Sequence, residues 1–516
     1  MVKNNPIIWS DFPDPDVIRV EDTYYMVSTS MHFMPGVVIL RSYDLINWEI
    51  ASYVCNIIED TPEQRLEGEL NIYGKGMWAA NIRYHKGTFY ICFAANDTGK
   101  TYLYQAEDIM GPWKKQYIEG FYHDCSILFD DDDRIFIVYG NTQIHLIELK
   151  PDLTGPKLGG LNRIIVVDRG NVGLGYEGAH IYKIKNKYYI FFIHWLNYGS
   201  KRRVEACYFA DSLEGEFVGK DVLDDDMGYF NAGVAQGGIV DTPDGIWYSM
   251  LFQDHGAVGR IPVLVPVHFE NDFPIFGIDG KVPHYMEVKS TRPGYRYEPV
   301  VDNDDFNYMA DRNGNIQLKK VWQWNHIPDN SLWSITEKQS LRIRSGKLST
   351  NILQAVNTLT QRMIGPVTKA TVTVDGSGLR DGDYAGISAL QGIYGLIALT
   401  KQEGQYYIVM LGKELDKSIG IWGEPGGDKK PGIEYARIPV NNNKVTLKLC
   451  AKFENNMDEV EFYYQNKEEW MKLGITQKLY FRLDHFVGCR VGLFLFSTME
   501  IGGSVDFEHF KYNDNH

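Results

Sequence analysis

A short pattern recurs five times in the first half of this chain: an apolar strand, a polar turn and an aromatic-rich strand. The copies read DPDVIRVEDTYYMVSTS from Asp14, AANIRYHKGTFYICFAAND from Ala79, DCSILFDDDDRIFIVYG from Asp124, EGAHIYKIKNKYYIFFIHW from Glu177 and QGGIVDTPDGIWYSMLFQD from Gln236. Their aromatic anchors lie 46 to 65 residues apart, enough for one four-stranded sheet per copy. The repeats therefore predict a five-bladed β-propeller, and their irregular spacing disfavours an open solenoid.

The copies align on an aromatic residue in their second strand. These anchors are Tyr25, Tyr90, Phe136, Tyr189 and Tyr248. In this alignment the first residues of the five copies are equivalent to one another. Three of the five carry a carboxylate: Asp14, Asp124 and Glu177. Equivalent positions of a radial fold lie at the same distance from one axis. The three acids are therefore predicted to face one pocket and to perform acid/base chemistry.

The second half of the chain has a different residue pattern and no copy of the repeat. From about residue 315, NNKVTLKLCAKFE and DEVEFYYQ alternate apolar with polar residues, and RVGLFLFSTME is continuously apolar. We predict an all-β protein, with a five-bladed β-propeller over residues 1–295 and a jelly-roll-like β-sandwich over residues 296–516. The segment from Val258 to Glu270 is predicted to close the propeller. The sandwich is expected to dock against the propeller and to lend a loop to the pocket.

Composition limits the partners. The net charge of -15 argues against a nucleic acid or an anionic membrane surface, and it is compatible with a neutral sugar. The six cysteines are isolated from one another, so buried free thiols are preferred over disulfides and metal knuckles. The first residues, MVKNNPIIWS, lack the apolar core of a signal peptide, which favours a cytoplasmic protein unless a leader has been removed.

Each acid also has an ordinary structural interpretation. Asp14, between Pro13 and Pro15, is compatible with a turn, Glu177 with a glycine-rich loop, and Asp124 with a strand start that binds backbone N–H groups. Their shared register favours a site instead. Glycoside hydrolysis needs a protonated carboxylic acid and a carboxylate on the other face of the sugar, about 6.5–9.5 Å apart when the anomer is inverted. A third carboxylate would raise the pKa of the acid by repulsion.

Several segments together resemble glycoside hydrolase family 43. They are SDFPDPDVIRVEDTYYMVSTS, GMWAANIRYHKGTFY, HDCSILFDDDD, YEGAHIYK and GAVGRIPVLVPV. The family includes β-xylosidases and α-L-arabinofuranosidases on a five-bladed propeller. VWQWNHIPDNSLWSITE, from Val321 to Glu337, resembles the β-sandwich appended in one branch of that family.

The resemblance implies a role for each acid. Asp14 matches the general base that activates water, and Glu177 matches the general acid. Asp124 matches a third acid that tunes the pKa of Glu177 and helps to orient it.

The resemblance also implies substrate-binding residues. Arg260 matches an arginine that binds sugar hydroxyls, and Phe33 and Trp78 match apolar walls of the pocket. Where many relatives have a metal- or water-binding histidine, this chain has Gln236. A structural calcium ion is therefore considered near Gln236 and His255, with its ligand set left open. The acidic run at 130–133 is interpreted as a hairpin turn rather than a calcium loop.

The predicted function is inverting exo-hydrolysis of terminal α-L-arabinofuranosyl residues from hemicellulose, such as arabinoxylan or its oligosaccharides. The same pocket is compatible with β-D-xylosidase activity, which is the alternative. No cofactor is required, and the expected partner is an oligosaccharide or polysaccharide. Two non-enzymatic alternatives are a sugar-binding propeller and a scaffold for protein partners.

Overall fold

The structure is a computed structural model that describes residues 3–170, 173–196, 201–419 and 429–513. Its regular structure is antiparallel β-sheet, accompanied by short 3-10 turns at Gly256–Val258, Ile352–Gln354 and Glu454–Asn456. Within these ranges no helix is long and apolar enough to cross a membrane. The prediction of an all-β protein is confirmed.

The first part of the chain forms five four-stranded sheets arranged as a propeller. Blade 1 contains β1 (Asp16–Val20), β2 (Thr23–Ser28), β4 (Gly36–Ser42) and β5 (Glu49–Cys55), with β3 (Phe33–Met34) set apart from it. Blade 2 contains β6 (Met77–His85), β7 (Thr88–Ala95), β8 (Lys100–Ala106) and β9 (Lys114–Ile118). Blade 3 contains β10 (Ser126–Phe129), β11 (Ile135–Tyr139), β12 (Gln143–Leu149) and β13 (Asn162–Val167).

The last two blades follow in chain order. Blade 4 contains β14 (Glu177–Ile184), β15 (Lys187–Trp195), β16 (Arg203–Ala210) and β17 (Val218–Leu223). Blade 5 contains β18 (Ala235–Asp241), β19 (Trp247–Asp254), β20 (Arg260–Glu270) and β21 (Phe273–Phe276). All five aromatic anchors lie in the second strand of their blade, so the repeat alignment and the predicted propeller are confirmed.

The predicted closing segment, residues 258–270, contacts the chain that leads into blade 1: the Ile7 N–H donates to the Pro262 carbonyl at 3.1 Å and the Phe12 N–H to the Arg260 carbonyl at 3.0 Å. This segment supplies β20, the third strand of blade 5, and each blade is complete without a strand from another. Blades 5 and 1 are also joined through side chains and a further backbone contact. The Gly238 N–H donates to the Pro15 carbonyl at 3.2 Å, and Arg19 Nη2 pairs with Asp241 Oδ2 at 2.8 Å.

A buried carboxylate on β1 links three blades at the centre of the propeller. Asp16 Oδ2 accepts hydrogen bonds from Asn81 Nδ2 at 2.6 Å and Arg83 Nη1 at 2.8 Å, and Oδ1 lies 2.9 Å from His180 Nδ1. Burial alone would raise the pKa of Asp16, but Arg83 and His180 outweigh it and lower that pKa to about 2. A charged, fully hydrogen-bonded core of this kind fixes how the inner strands meet, and so fixes the positions of residues at their ends.

The acidic run at 130–133 connects β10 to β11. The Asp130 N–H donates to the Arg134 carbonyl, and the Asp130 carboxylate accepts hydrogen bonds from Lys183 and Tyr188. The hairpin-turn interpretation of this run is confirmed.

The second half of the chain folds as two packed sheets, which confirms the predicted β-sandwich. The eight-stranded sheet has the order β3, β22 (Gln323–Asn325), β25 (Leu359–Arg362), β34 (Arg490–Ser497), β27 (Asp383–Leu390), β28 (Gly395–Gln402), β29 (Gln405–Gly412), β30 (Ile433–Val440). The seven-stranded sheet has the order β23 (Trp333–Ile335), β24 (Leu341–Arg344), β35 (Ser504–Tyr512), β26 (Val367–Asp375), β31 (Lys444–Lys452), β32 (Glu459–Asn466), β33 (Glu469–Lys478).

The two domains share a sheet. β3, which lies between two strands of blade 1 in the chain, pairs with β22 at the edge of the sandwich. The described residues between β21 and β22, where the sequence boundary at 295/296 falls, form no named strand. They lie against blade 1, where the Thr291 N–H donates to the Tyr43 carbonyl and the Glu298 N–H to Glu49 Oε2. β3 and the segment before β22 are therefore two of the places where the sandwich is fixed against the propeller.

Candidate active site

The three predicted acids lie at the same end of the propeller, where the innermost strands of blades 1, 3 and 4 begin. Asp14 and Asp124 each stand two residues before their strand, and Glu177 is the first residue of β14. Asp14 and Asp124 both adopt left-handed backbone conformations, with φ of 51° and 46°, and so does the equivalent Gln236 at 58°. Such φ values are uncommon for non-glycine residues, so their recurrence shows that the repeat extends to backbone geometry.

Asp14 is held by a buried ion pair. Arg260 Nη1 donates to Asp14 Oδ1 at 2.7 Å, and Thr29 Oγ1 donates to Asp14 Oδ2 at 2.7 Å. The side chains of Asp14 and Arg260 are only 7% and 2% exposed, so solvent screens their attraction weakly. The ion pair and the Thr29 hydrogen bond fix the position of the carboxylate.

Asp124 and Glu177 form a cluster with a residue that was not predicted, His123. The ligand-type atoms of these three side chains all lie within 4.8 Å of one another. Asp124 is buried, and its Oδ1 accepts no hydrogen bond from the described residues. Burial, together with the charges of Glu177 and Asp14, raises the pKa of Asp124 to about 7, although His123 and Arg260 act in the opposite direction. The effect of Asp14 on this pKa shows that all three acids share one electrostatic environment.

Glu177 lies at the more open side of the cluster. Its side chain is 18% exposed, and Oε2 accepts a hydrogen bond from Asn141 Nδ2, in the loop between β11 and β12. The neighbouring Gly178 has φ of 65°, and a Cβ there would lie 2.7 Å from the Gln236 side chain. Only glycine fits at this position, which explains the EG pair in the sequence.

Aromatic side chains form one wall of the site. The Trp78 ring stacks on Phe486 at 5.2 Å between ring centroids and lies 5.5 Å from the His123 ring. Phe33 belongs to the same apolar cluster, where it is buried and has the Arg490 guanidinium 4.0 Å above its ring. The structure thus brings the predicted residues Trp78 and Phe33 together, with Phe33 behind the exposed part of the wall.

Phe486 comes from the sandwich domain, on the loop before β34. The Arg260 guanidinium lies 4.4 Å over its ring, and Arg260 Nη2 donates to its carbonyl at 3.3 Å. The adjacent Gly488 N–H donates to Asp11 Oδ2 at 2.8 Å, and the Cys489 N–H donates to the Ala257 carbonyl. The expected docking, with a loop lent to the pocket, is therefore seen in the structure.

The residues considered for calcium have other partners. His255 Nε2 lies 2.7 Å from Gln253 Oε1, and the His255 ring stacks on Tyr229 at 3.9 Å. Burial lowers the pKa of His255 to about 4. Gln236 donates its backbone N–H to Glu205 Oε2. Across the part of the chain that the structure describes, these residues do not form the oxygen-rich set that calcium prefers, so the calcium prediction gains no support.

Sequence reasoning missed three residues of the site. His123 stands next to Asp124 in the motif HDCSI, so adjacency to a predicted acid was the available signal. Asn141 lies in a turn that has no distinctive pattern, and Phe486 lies in the other domain, more than 300 positions along the chain from Asp124. Neither of these two had a signal in the sequence.

Removal of the Arg260 charge should strongly destabilise the protein. In Arg260→Met the Asp14 carboxylate would remain buried without its partner, which typically costs about 3–5 kcal/mol. Arg134→Met is the matched control, because Arg134 pairs with Asp132 at the surface, where a pair contributes about 0–1 kcal/mol. Urea unfolding of both variants measures the difference. Equal losses would show that the Arg260–Asp14 pair is not the buried, stabilising contact described above.

Both domains match models of known protein families. Residues 3–274 match the family model described as glycosyl hydrolases family 43, and residues 310–513 match one described as a β-xylosidase C-terminal concanavalin A-like domain. Two curated relatives are informative. A β-xylosidase of Formosa agariphila is 28% identical over 99% of this chain and 90% of its own length. A non-reducing end α-L-arabinofuranosidase of Bacteroides ovatus is 29% identical over 66% of this chain and 64% of its own length.

This chain is also similar to solved structures of GH43 proteins. A bifunctional GH43-CE protein of Bacteroides eggerthii is 40% identical, with a TM-score of 0.89 over 99% of this chain. This chain spans 64% of that protein's chain. A GH43 glycoside hydrolase, engineered to display both endo-xylanase and exo-arabinofuranosidase activity, is 28% identical, with a TM-score of 0.86 over 99% of both chains.

Proposed function

We propose, because this chain belongs to glycosyl hydrolases family 43, that it is an inverting exo-glycosidase that removes terminal α-L-arabinofuranosyl residues from hemicellulose. The observation that carries the proposal is the convergence of Asp14, Asp124 and Glu177 at one end of the propeller, with Arg260 bonded to Asp14. A pair of carboxyl groups on opposite sides of an anomeric carbon is the requirement of this chemistry. The substrate is a neutral sugar chain, and the second reactant is water.

In the proposed mechanism Asp14 is the general base. Arg260 and Thr29 fix the orientation of its carboxylate, which accepts a proton from the attacking water. Glu177 is the general acid, which protonates the leaving oxygen. Because its side chain is more exposed than Asp14 or Asp124, Glu177 is the acid that a departing group passes.

Asp124 acts as the third acid. It lies beside Glu177, and its Oδ1, which accepts no hydrogen bond from the described residues, offers an acceptor to a sugar hydroxyl. Its charge repels a negative charge on Glu177. Trp78 Nε1 and Arg260 Nε are also buried without a hydrogen-bond partner among the described residues. Buried polar atoms are rarely left unpaired, so these groups are suited to bind substrate hydroxyls.

A second candidate is β-D-xylosidase activity in the same pocket. The relative that covers 99% of this chain is named a β-xylosidase, and the sandwich matches a domain described as β-xylosidase C-terminal. A terminal xylose and a terminal arabinofuranose present similar hydroxyl groups to one pocket, so the acids and Arg260 serve either sugar.

Kinetics on two aryl glycosides test the proposal. The purified protein should hydrolyse 4-nitrophenyl α-L-arabinofuranoside and release single arabinose units, without longer products, from arabinoxylan oligosaccharides. A larger kcat/KM on 4-nitrophenyl β-D-xylopyranoside would make the xylosidase the main activity. Binding of the oligosaccharides with no release of sugar would contradict hydrolysis and favour a sugar-binding propeller.

A further inference from the structure

His123 stands between two of the three acids. Its Nε2 lies 3.5 Å from Asp124 Oδ2 and 3.8 Å from Glu177 Oε2. The ring packs beside Trp78, and its side chain remains 26% exposed. A single nitrogen thus faces both carboxylates, while water still reaches the ring.

This position makes the imidazole a cation. The charge of Asp124 is the largest cause, and together with the charge of Glu177 it overcomes burial and raises the pKa of His123 to about 9. The imidazolium in turn lowers the pKa of Asp124, which burial and the other carboxylates raise. Among the described residues, further titratable or charged groups that act on this cluster are the Cys125 thiol, Asp14, Arg203 and Arg260.

We propose that His123 is a positioning residue whose imidazolium, held between Asp124 and Glu177, sets the upper pH limit of hydrolysis. The proposal rests on the function given above, since it requires Glu177 to donate a proton. A cation at this distance favours the ionised form of a carboxylic acid, so the acid is lost at a lower pH than it would be without His123. The negative charge of Asp124 has the opposite effect on that acid, because a like charge disfavours the ionised form.

The arrangement has a use in catalysis. Two adjacent carboxyl groups in a buried site hold one proton very tightly, which makes a weak acid catalyst. A general acid works best when its pKa lies near the working pH. The imidazolium offsets the repulsion from Asp124, so that the cluster can both hold the proton and give it up.

Two substitutions of His123 separate charge from packing. His123→Gln and His123→Lys both remove the ring from Trp78, but only His123→Lys retains a positive charge. The pH dependence of kcat/KM on the better aryl glycoside should show the upper limit of His123→Gln moved up by about one pH unit. His123→Lys should keep the wild-type limit. Equal shifts in both variants, or a uniform loss of rate without a shift, would overturn the proposal.

The wild-type protein offers a test that needs neither activity nor a folded His123 variant. In protein with ¹³C-labelled histidine, one imidazole should titrate with a pKa of about 9. That pKa should fall in Asp124→Asn, where its main cause is gone. If every histidine titrated below pH 8, the proposal would be wrong. If this titration were found in a protein that cleaves no glycoside, the charged state of His123 would stand, and the proposed function would fail together with its pH limit.

Discussion

Asp14→Asn is expected to lower kcat/KM by about 10²–10⁴ on every substrate, whatever its leaving group. Asparagine has nearly the same shape as aspartate but cannot accept the proton of the attacking water. Water attack is required for each substrate, so a better leaving group does not compensate. Steady-state kinetics measure the loss of kcat/KM on two substrates, a 4-nitrophenyl glycoside and an oligosaccharide.

The control for this variant is Asp241→Asn. Asp241 also pairs with an arginine, Arg19, but it lies at the far end of the innermost strand of blade 5. It should keep wild-type activity. Thermal melting must show that Asp14→Asn is folded, because the substitution leaves the Arg260 charge buried. A folded Asp14→Asn enzyme with most of its activity would remove Asp14 from the role of base.

Glu177→Gln is expected to show a loss that depends on the leaving group. A 2,4-dinitrophenolate ion departs without a proton, whereas a sugar alkoxide needs one. The loss should therefore approach about 10²–10⁴ on an oligosaccharide and be much smaller on a 2,4-dinitrophenyl glycoside. Kinetics on the two substrates, with Asp14→Asn in parallel, measure the difference.

The comparison between the two variants is the decisive part of this test. Asp14→Asn should lose similar factors on both substrates, and Glu177→Gln should not. Equal losses for Glu177→Gln would mean that it does not protonate the leaving oxygen. A leaving-group dependence in Asp14→Asn instead would exchange the two roles.

Much of the fold was predictable because the sequence pattern that indicates a blade occurs five times. Five copies of one strand–turn–strand pattern fix the register of every blade, and the aromatic anchors fall in equivalent strands. Asp14, Asp124 and Glu177 were found through the same register rather than through their local motifs. Arg260, a lone arginine at the start of β20, was found only through the resemblance to a family, since its ion pair with Asp14 spans 246 positions.

What was not predictable depends on contacts between distant parts of the chain. Asp16 looks like an ordinary acid in a DPD motif, yet it is the buried carboxylate that joins three blades. Phe486 reaches the pocket only because β3 and the loop before β34 attach the sandwich to the propeller. Periodicity describes each strand by itself, so it carries no signal for such docking. The role of His123 likewise follows from two distances across blades 3 and 4.

The most direct test of the account is the configuration of the first product, followed by ¹H NMR during rapid hydrolysis. An acid and a base on opposite faces of the sugar invert the anomeric carbon. A β-D-xyloside should therefore give α-D-xylose first, and an α-L-arabinofuranoside should give β-L-arabinofuranose first, before mutarotation mixes the anomers. First appearance of the anomer present in the substrate would contradict the assignment of Asp14 as a base acting through water.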